Sequence, residues 1–557
     1  MFNICRVVYY SITILGTPIN RSYSSQCYNR VQYPYKTKTF KQPILNSIEL
    51  SLFTSRLNAV CDEMGAVLQR AAFSPNIRDR LDFSCAVFDA EGELCAQAAH
   101  IPVHLGSMAY AMQSIVSCLD WNDGDMVIVN DPFLGGTHLP DITLIAPVYF
   151  KGKLFAFIAN RAHHADIGAD SPGSMPLSKS LDEEGLIIPP THLIKRGVMD
   201  DIFMSDILNS IRSGSSAQGD FSAQISANHA GVERLQSLIM SLCRETGGTK
   251  FLDGLTELNA YGERLAQSVI NEIPDGEYSF SDVMDDDGLG NFDLNITATI
   301  HIKDHHVHVD FSGTSDQTEG NINCPLSVAA AAVYYVFRCL MPKQTPACAG
   351  TFKPITLTAP EGCLLNAKRP AAVAAGNVET STRIVDVVMG ALAQALPDKI
   401  PAASHGSMNN LAMGSIADEW DYYETMGGGM GANANGEGID AVQTHMTNTR
   451  NTPVEVMETS YPIRIKQYAV RKNSGGVGLH KGGDGLVREF EFLKPANVTL
   501  LTERRLKAPW GLNNGIDGGC GQNLLNGKPL TPKVCIDVNK GDCLTIKTPG
   551  GGGWGME

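Results

Sequence analysis

Two imidazoles and a carboxylate, His138, Asp141 and His163, fall within the single stretch Asp131–Asp170, with His164 and Asp166 directly beyond them. Neutral imidazole nitrogen and carboxylate oxygen suit a divalent zinc, iron or manganese ion, and three protein ligands leave a position open for water. Loop histidines and aspartates are common and an HxxD spacing alone is weak, so the elements that carry these residues must supply the specificity. Ile142–Phe150 and Leu154–Asn160 are apolar runs rich in β-branched and aromatic residues, and Lys151-Gly152-Lys153 between them reads as a hairpin tip. Pro147 places the first strand at a sheet edge or marks a bulge. Antiparallel pairing of the two runs sets Asp141 opposite His163, with Cβ atoms about 5 Å apart. Gly135-Gly136 then folds His138 back over the same end.

The rest of the chain must hold this hairpin. Ile48–Ala72 carries Leu57, Val60, Met64, Val67 and Leu68 at helical spacing. Cys85–Phe88 reads as a strand and Asp89–Gly92 as a turn. Asp82 precedes that strand much as Asp141 precedes its own, which makes it a candidate fourth ligand. On the residues alone, a surface ion pair with Arg78 or Arg80 is the favoured alternative. His100 and His104 flank Pro102 and are each candidates for proton transfer, though single histidines more often serve structure. Met126–Asn130 is a buried-type strand, and Ser171–Pro190 an irregular segment readable as a lid or a surface loop.

Helices are predicted over His229–Arg244 and Phe251–Ile273, and strands over Glu277–Asp282, Leu294–Ile302 and His305–Ser312, with a boundary near Pro274. His306 and His308 share one strand face, a solvated face being favoured over a metal site. Asp285–Gly288 lacks the ligand spacing of an EF-hand and reads as a charged turn. Helices follow over Pro325–Met341 and Glu379–Leu396, the second capped by Thr380 or Ser381 and stopped by Pro397. From Tyr422 onward the chain is strand and turn, with glycines dense enough to let backbones approach closely.

There is no GxxxxGK[ST] or GxSxG sequence, and Gly429-Met430-Gly431 opens no helix, so neither a Walker loop, a serine-hydrolase elbow nor a dinucleotide fingerprint has support. The expected class is multidomain α+β, with mixed sheets and packed helices. An N-terminal extension (1–45) precedes a metal-site domain (46–274), a middle α+β domain (275–420) and a glycine-rich, strand-rich β domain (421–557).

A net charge of −15 argues against nucleic acid or an anionic membrane as partner. Fourteen scattered cysteines without a CxxC pair fit reduced thiols and a cytoplasmic protein. Met1–Gln42 holds Arg6, Arg21, Arg30, Lys36, Lys38 and Lys41 but no acidic residue. It resembles a transit peptide to the mitochondrial matrix; a disordered tail and a mis-assigned start codon are the alternatives.

From about residue 45 to the end, the chain resembles the hydantoinase B/oxoprolinase family. The resemblance runs in order through SPNIRDRLDFSCAVFD, HIPVHLGSM, NDPFLGGTHLPDITLIAPVYF, NRAHHADIG, GNVETSTRIVD, ETMGGGMGA, HMTNTRNTPVEVMET, NSGGVGLHKGGDGLVREF and TPGGGGWG. It implies the B-type half of an ATP-dependent cyclic-amide hydrolase acting on a small ring such as 5-oxoproline or a hydantoin. An A-type ATPase with an actin-like fold is the implied partner, in a hetero-oligomer. That partner uses the ATP and phosphorylates the amide carbonyl, making its oxygen a leaving group.

Carried over by motif position, the resemblance implies metal ligands Asp82, His138, Asp141 and His163, with the choice between His163 and His164 left open. A divalent zinc, iron or manganese there is expected to lower the pKa of water and supply hydroxide. His104 or His164 is expected to shuttle the proton. The large subunits of acetone and acetophenone carboxylases, of which the acetone enzyme's is longer than this chain, and a non-catalytic scaffold for the A-type partner are the rival readings.

Overall fold

The computed structural model describes residues 45–556, apart from 99–100, 213, 244–248, 416 and 418–419, together with an antiparallel strand pair, Val8–Ile14 and Thr17–Tyr23. The remainder of the N-terminal extension, and His100, lie outside the described residues.

A seven-stranded antiparallel sheet carries the hairpin. In chain order its strands are β1 (Phe83–Asp89), β2 (Leu94–Ala98), β3 (Met126–Val129), β4 (Asp141–Phe150), β5 (Lys153–His163), β6 (Thr191–Lys195) and β7 (Val198–Met199). Their spatial order is β2-β1-β5-β4-β3-β6-β7. The apolar runs read as continuous because the sheet is covered on both faces. Cys85, Val87, Ala156 and Ile158 pack with α1 (Ser47–Ala71) and α3 (Gly214–Cys243). The alternating residues Ala86, Phe88, Phe157 and Ala159 pack instead with Met108, Met112 and Ile115 of α2 (Pro102–Ser117).

Helix α1 starts in a capping box: the Asn46 side chain accepts the N–H groups of Ile48 and Glu49, and Glu49 accepts that of Asn46. Pro147 is tolerated inside β4 because β3 pairs only with Thr143–Ile145, so the missing N–H breaks no bond on that side; a bulge follows at Val148/Tyr149.

Helix α3 begins at Gly214, not near His229 as the apolar spacing predicts. Its inner residues Asp220, Gln224 and Asn228 are buried yet polar: Asp220 accepts the N–H groups of Phe73 and Ser74, and the Asn160 amide donates to the Gln224 carbonyl and the Asn228 side chain. A polar inner face carries no hydrophobic period, which is why the sequence hid the first half of the helix. Helix α4 (Thr249–Ile270) follows. Ser171–Pro190 is neither lid nor surface loop: Met175, Leu181 and Glu184 are buried, and the Asn321 amide donates to the Pro176 carbonyl at 2.6 Å.

The middle of the chain is a four-stranded sheet, β8 (Gly276–Asp286), β9 (Phe292–Lys303), β10 (His306–Asp310) and β11 (Ile355–Thr358), antiparallel except for the β10–β11 pair. It shares a core with α5 (Leu326–Leu340) and α6 (Ser381–Ala393). Neither Thr380 nor Ser381 caps α6. A π-helical turn, Gly376–Thr380, runs straight into it, so both hydroxyls donate back to carbonyls, of Ile322 and Asn377. Asp285, expected as part of a charged turn, is buried, where its carboxylate accepts the N–H groups of Arg505, Leu506 and Lys507.

The C-terminal part holds two further sheets facing one another across Leu411, Met413, Val498 and Leu500 on one side and Leu486, Phe490, Leu544 and Ile546 on the other. The strand that matters for the site is β13 (Trp420–Glu424), paired with β12 (Asn410–Ser415). Beside these sheets the glycine runs stack backbone on backbone: Gly429 N–H donates to Pro549, Gly551 to Gly483 and Gly483 to Met430. A Cβ on Gly429 would stand 1.9 Å from the Gly483 carbonyl oxygen, and one on Gly431 1.8 Å from that of Ala402.

Candidate functional site

The hairpin register is the one the sequence predicts: Asp141, first residue of β4, pairs with His163, last residue of β5. His138 lies on the turn before β4, reached through Gly136, whose absent Cβ would meet the Asn130 carbonyl oxygen at 2.2 Å. His138 Nε2 is 3.2 Å and His163 Nδ1 3.3 Å from Asp141 Oδ1. One ligand atom from each of the three residues lies within 4.8 Å of the others, and all three side chains are buried.

The other oxygen, Asp141 Oδ2, accepts from the Thr137 hydroxyl at 2.6 Å and the Asn377 amide at 3.3 Å, and lies 3.1 Å from His104 Nε2. Burial alone would raise the Asp141 carboxyl. The imidazoles of His104 and His138 nonetheless hold it well below the usual carboxylate range. Burial also opposes charge on His138, but Asp141 and the Ala374 carbonyl outweigh it and raise that imidazole. Burial wins at His163, which is lowered.

The chemistry of this donor set fits a metal. The Ala374 carbonyl sits 3.2 Å from His138 Nδ1, and a proton donated to it from that nitrogen would leave the Nε2 lone pair free for a metal beside Asp141. Among the described residues, His163 Nε2 is buried with no partner, and His138 Nε2 has no hydrogen bond beyond its 3.2 Å approach to Asp141 Oδ1. An imidazole nitrogen left bare beside a carboxylate is costly in a protein interior unless something binds it.

Not every expected residue joins the group. Asp82 precedes β1 and its backbone carbonyl accepts the His163 N–H, but its carboxylate turns to Arg80, 3.7 Å away. That pair is buried rather than on the surface, while Arg78 pairs with Asp79. His164 follows His163 by one residue, so strand alternation sends it to the opposite side. There its Nε2 lies 2.9 Å from Gln224 Oε1 and its ring packs on Phe221. His104 does join, from the first turn of α2. His308, on the middle sheet, bonds Thr356 and Thr358.

Three residues at the site carried no signal that spacing could reveal. Tyr423 of β13 stacks on His163 with ring centroids 4.4 Å apart, under the Arg80 guanidinium, and its hydroxyl donates to Asn410 at 2.7 Å. Asn377 arrives on the π-helical turn. Glu184, from the irregular segment, accepts the N–H groups of Val373 and Ala374 at 2.8 and 2.9 Å and so fixes the carbonyl that holds His138. The sequence marker available for the first two was their place in or beside the motifs GNVETSTRIVD and ETMGGGMGA.

Glu184 predicts a pH effect. Burial raises its carboxyl from 4.5 to about 7. A carboxyl raised on folding adds stability that is complete below pH 4.5 and is lost as pH rises towards 7. Glu184→Gln is therefore expected to flatten the decline in stability between pH 4.5 and 7, read from urea midpoints across that range. An undiminished slope would refute this assignment.

With the geometry in view, comparison with known proteins places the chain. Residues 46–557 match the hydantoinase B/oxoprolinase family model, and the chain belongs to that family. It is 39% identical over 521 residues to an uncharacterised protein of Methanocaldococcus jannaschii, covering 92% of this chain and 91% of that one. It is also 39% identical over 546 residues to 5-oxoprolinase 1 of Arabidopsis thaliana, covering 92% of this chain but 42% of the plant protein. The chain thus spans about two fifths of that relative's length. The B-type component of a putative D-/L-hydantoinase of Pseudomonas sp. matches at 31% identity over 540 residues, covering 92% and 90%.

Among solved structures, the ATP-dependent caprolactamase of Pseudomonas jessenii superposes with a TM-score of 0.85 at 26% identity, covering 92% of each chain. An acetone carboxylase shares the fold, with a TM-score of 0.82 at 16% identity, covering 92% of this chain and 76% of that one. Among the described residues no helix is long and apolar enough to cross a membrane.

Proposed function

We propose that this chain is the ring-opening half of an ATP-dependent cyclic-amide hydrolase of the 5-oxoprolinase or hydantoinase type, and that His138, Asp141 and His163 hold a divalent transition metal. The observation that carries the reading is the convergence of two buried imidazoles on one carboxylate, with donor atoms within 4.8 Å of one another and His163 Nε2 left without a partner among the described residues. Family membership and the names of the relatives support the substrate class. Asp82, whose backbone carbonyl accepts the His163 N–H and whose carboxylate lies 3.7 Å from Arg80, is the candidate for a fourth ligand.

A bound metal supplies Lewis-acid polarisation at this spot. The chain's own residues do the rest. Asp141 gathers three imidazoles and fixes their orientation. Tyr423 lies flat on His163 and excludes water from one side of it. His104 Nε2, at 3.1 Å from Asp141, is the titratable group placed to hold a proton for the departing ring nitrogen.

The amide carbonyl is a poor electrophile, and an A-type ATPase supplies the phosphoryl group that activates it. That partner is a separate polypeptide or another part of a longer chain, as the share of the plant relative left unmatched suggests.

Elemental analysis of the purified chain tests the reading. About one zinc, iron or manganese per chain is expected, by the three-ligand geometry. A well-folded preparation without metal, even after reconstitution, would leave the cluster structural. The same preparation is expected to show no ATP hydrolysis until the partner is added, and robust hydrolysis by the chain alone would overturn the division of labour.

A further inference from the structure

The π-helical turn Gly376–Thr380 reaches the histidine group at two places. On one side the Asn377 amide donates to Asp141 Oδ2 at 3.3 Å. On the other, Glu379 Oε1 accepts the Asn410 amide at 2.7 Å, and Asn410 Oδ1 accepts the Tyr423 hydroxyl at 2.7 Å. Tyr423 in turn lies against His163, its ring plane 16° from that of the imidazole. Glu379, Asn410 and Tyr423 are all buried, so water does not compete for these bonds.

Each link admits one orientation. The Asn410 nitrogen also donates to the Leu501 carbonyl at 3.0 Å. Both amide hydrogens are then spent on acceptors, so Oδ1 must face Tyr423 and the phenol must donate. The Tyr423 ring cannot swing without losing a buried hydrogen bond. Strand pairing supplies the placement: Tyr423 of β13 stands opposite Ala412 of β12, and Asn410, two residues away, shares that sheet face within reach of an aromatic side chain.

Glu379 is fixed at its own end. A Cβ on Gly376 would stand 1.8 Å from the Asn323 carbonyl oxygen, and the Thr380 hydroxyl donates to Ile322. Glu379 Oε1 also takes the Met408 N–H at 2.9 Å. Burial and the nearby Glu503 raise its carboxyl, against Lys533 and Arg505, which favours the neutral acid. Glutamine reproduces that acceptor. At the far end of the chain of contacts, His163 turns Nδ1 to Asp141 Oδ1 at 3.3 Å, and the stacked phenol holds the imidazole in that pose.

We propose that the π-helical turn sets the site from two sides: Asn377 orients Asp141, and Glu379, acting through Asn410 and Tyr423, orients His163. Glu379 is a positioning residue for a ligand it reaches only through other side chains. This rests on the metal reading above.

Cobalt(II) binding to the purified full chain is the test, read as a dissociation constant and as the ligand-field spectrum of the bound ion. Tyr423→Phe keeps the stacked ring and loses only the hydroxyl, Glu379→Leu removes the acceptor, and Glu379→Gln keeps it. Tyr423→Phe and Glu379→Leu are each expected to weaken binding about tenfold and to alter the spectrum in the same way. Their double variant should lose no more than either alone, because both cut one line of contacts. Glu379→Gln should keep native affinity and spectrum. Thermal melts check folding, and if Glu379→Leu does not fold, Tyr423→Phe and Glu379→Gln carry the comparison.

Native affinity in folded Tyr423→Phe would overturn the proposal. So would additive losses in the double variant, or a loss in Glu379→Gln equal to that in Tyr423→Phe. If the native chain binds no cobalt, the metal reading falls and takes this inference with it. If it binds cobalt and Tyr423→Phe does not respond, the inference alone falls.

Discussion

His138→Ala is expected to abolish ring opening while the protein stays folded. Loss of an outer partner of a metal ligand typically costs 10- to 100-fold, so loss of the ligand itself should exceed about 100-fold. The fold is expected to survive because His138 lies on the turn before β4 and its ring nitrogens meet only Asp141 Oδ1 and the Ala374 carbonyl. Both residues keep other partners: Thr137 and His163 stay on Asp141, and Glu184 still holds the Val373 and Ala374 N–H groups. Asp141 is the poorer target for that purpose. Its carboxylate serves Thr137, Asn377 and three imidazoles, so Asp141→Ala strips a buried acceptor from all of them and should cost about 3–5 kcal/mol of stability. Product formation with partner and ATP, beside a thermal melt, checks both variants. Native turnover by His138→Ala would remove the site assignment.

Gly429→Ala should destabilise the protein by about 3 kcal/mol or more, although it lies among residues with no side chain to lose. The new methyl would stand 1.9 Å from the Gly483 carbonyl oxygen and 2.3 Å from Gly551 N. Both are backbone atoms of neighbouring runs that are themselves hydrogen-bonded in place, so neither can step aside. Gly436→Ala is the contrast, since nothing lies within 4 Å of its Cβ position and its φ is not left-handed. It should shift stability by no more than about 0.5 kcal/mol. Denaturant midpoints of the two variants decide the matter, and equal values would mean that the glycine stack yields to a methyl group.

The centre of the site was legible in the sequence because its geometry is local. The hairpin turns at Lys151-Gly152 with Phe150 paired to Lys153, and the one-residue shift at Val148/Tyr149, next to Pro147, then brings Asp141 opposite His163. Gly135-Gly136 turns the chain so that His138 comes back to the same end, where the Ala374 carbonyl meets its ring. Period-two alternation likewise separates His163 from His164, although the two residues read the same in the sequence.

The residues around that centre were decided by tertiary packing. His104 reaches Asp141 only because α2 lies on one sheet face, and Tyr423 reaches His163 only because β13, from a different sheet, is brought against it. Asp82 sits beside His163 in the ladder, yet buried Arg80 claims its carboxylate, which spacing cannot foresee. Asn377 and Glu184 come from segments whose sequences suggest a capped helix and a loose loop. A π-helical turn and a buried, peptide-bound carboxylate replace them, because each satisfies backbone groups supplied by distant parts of the chain. Local pairing is written in neighbouring residues; which side chain meets an unpaired nitrogen or oxygen in the interior is settled only when the sheets and helices close over it.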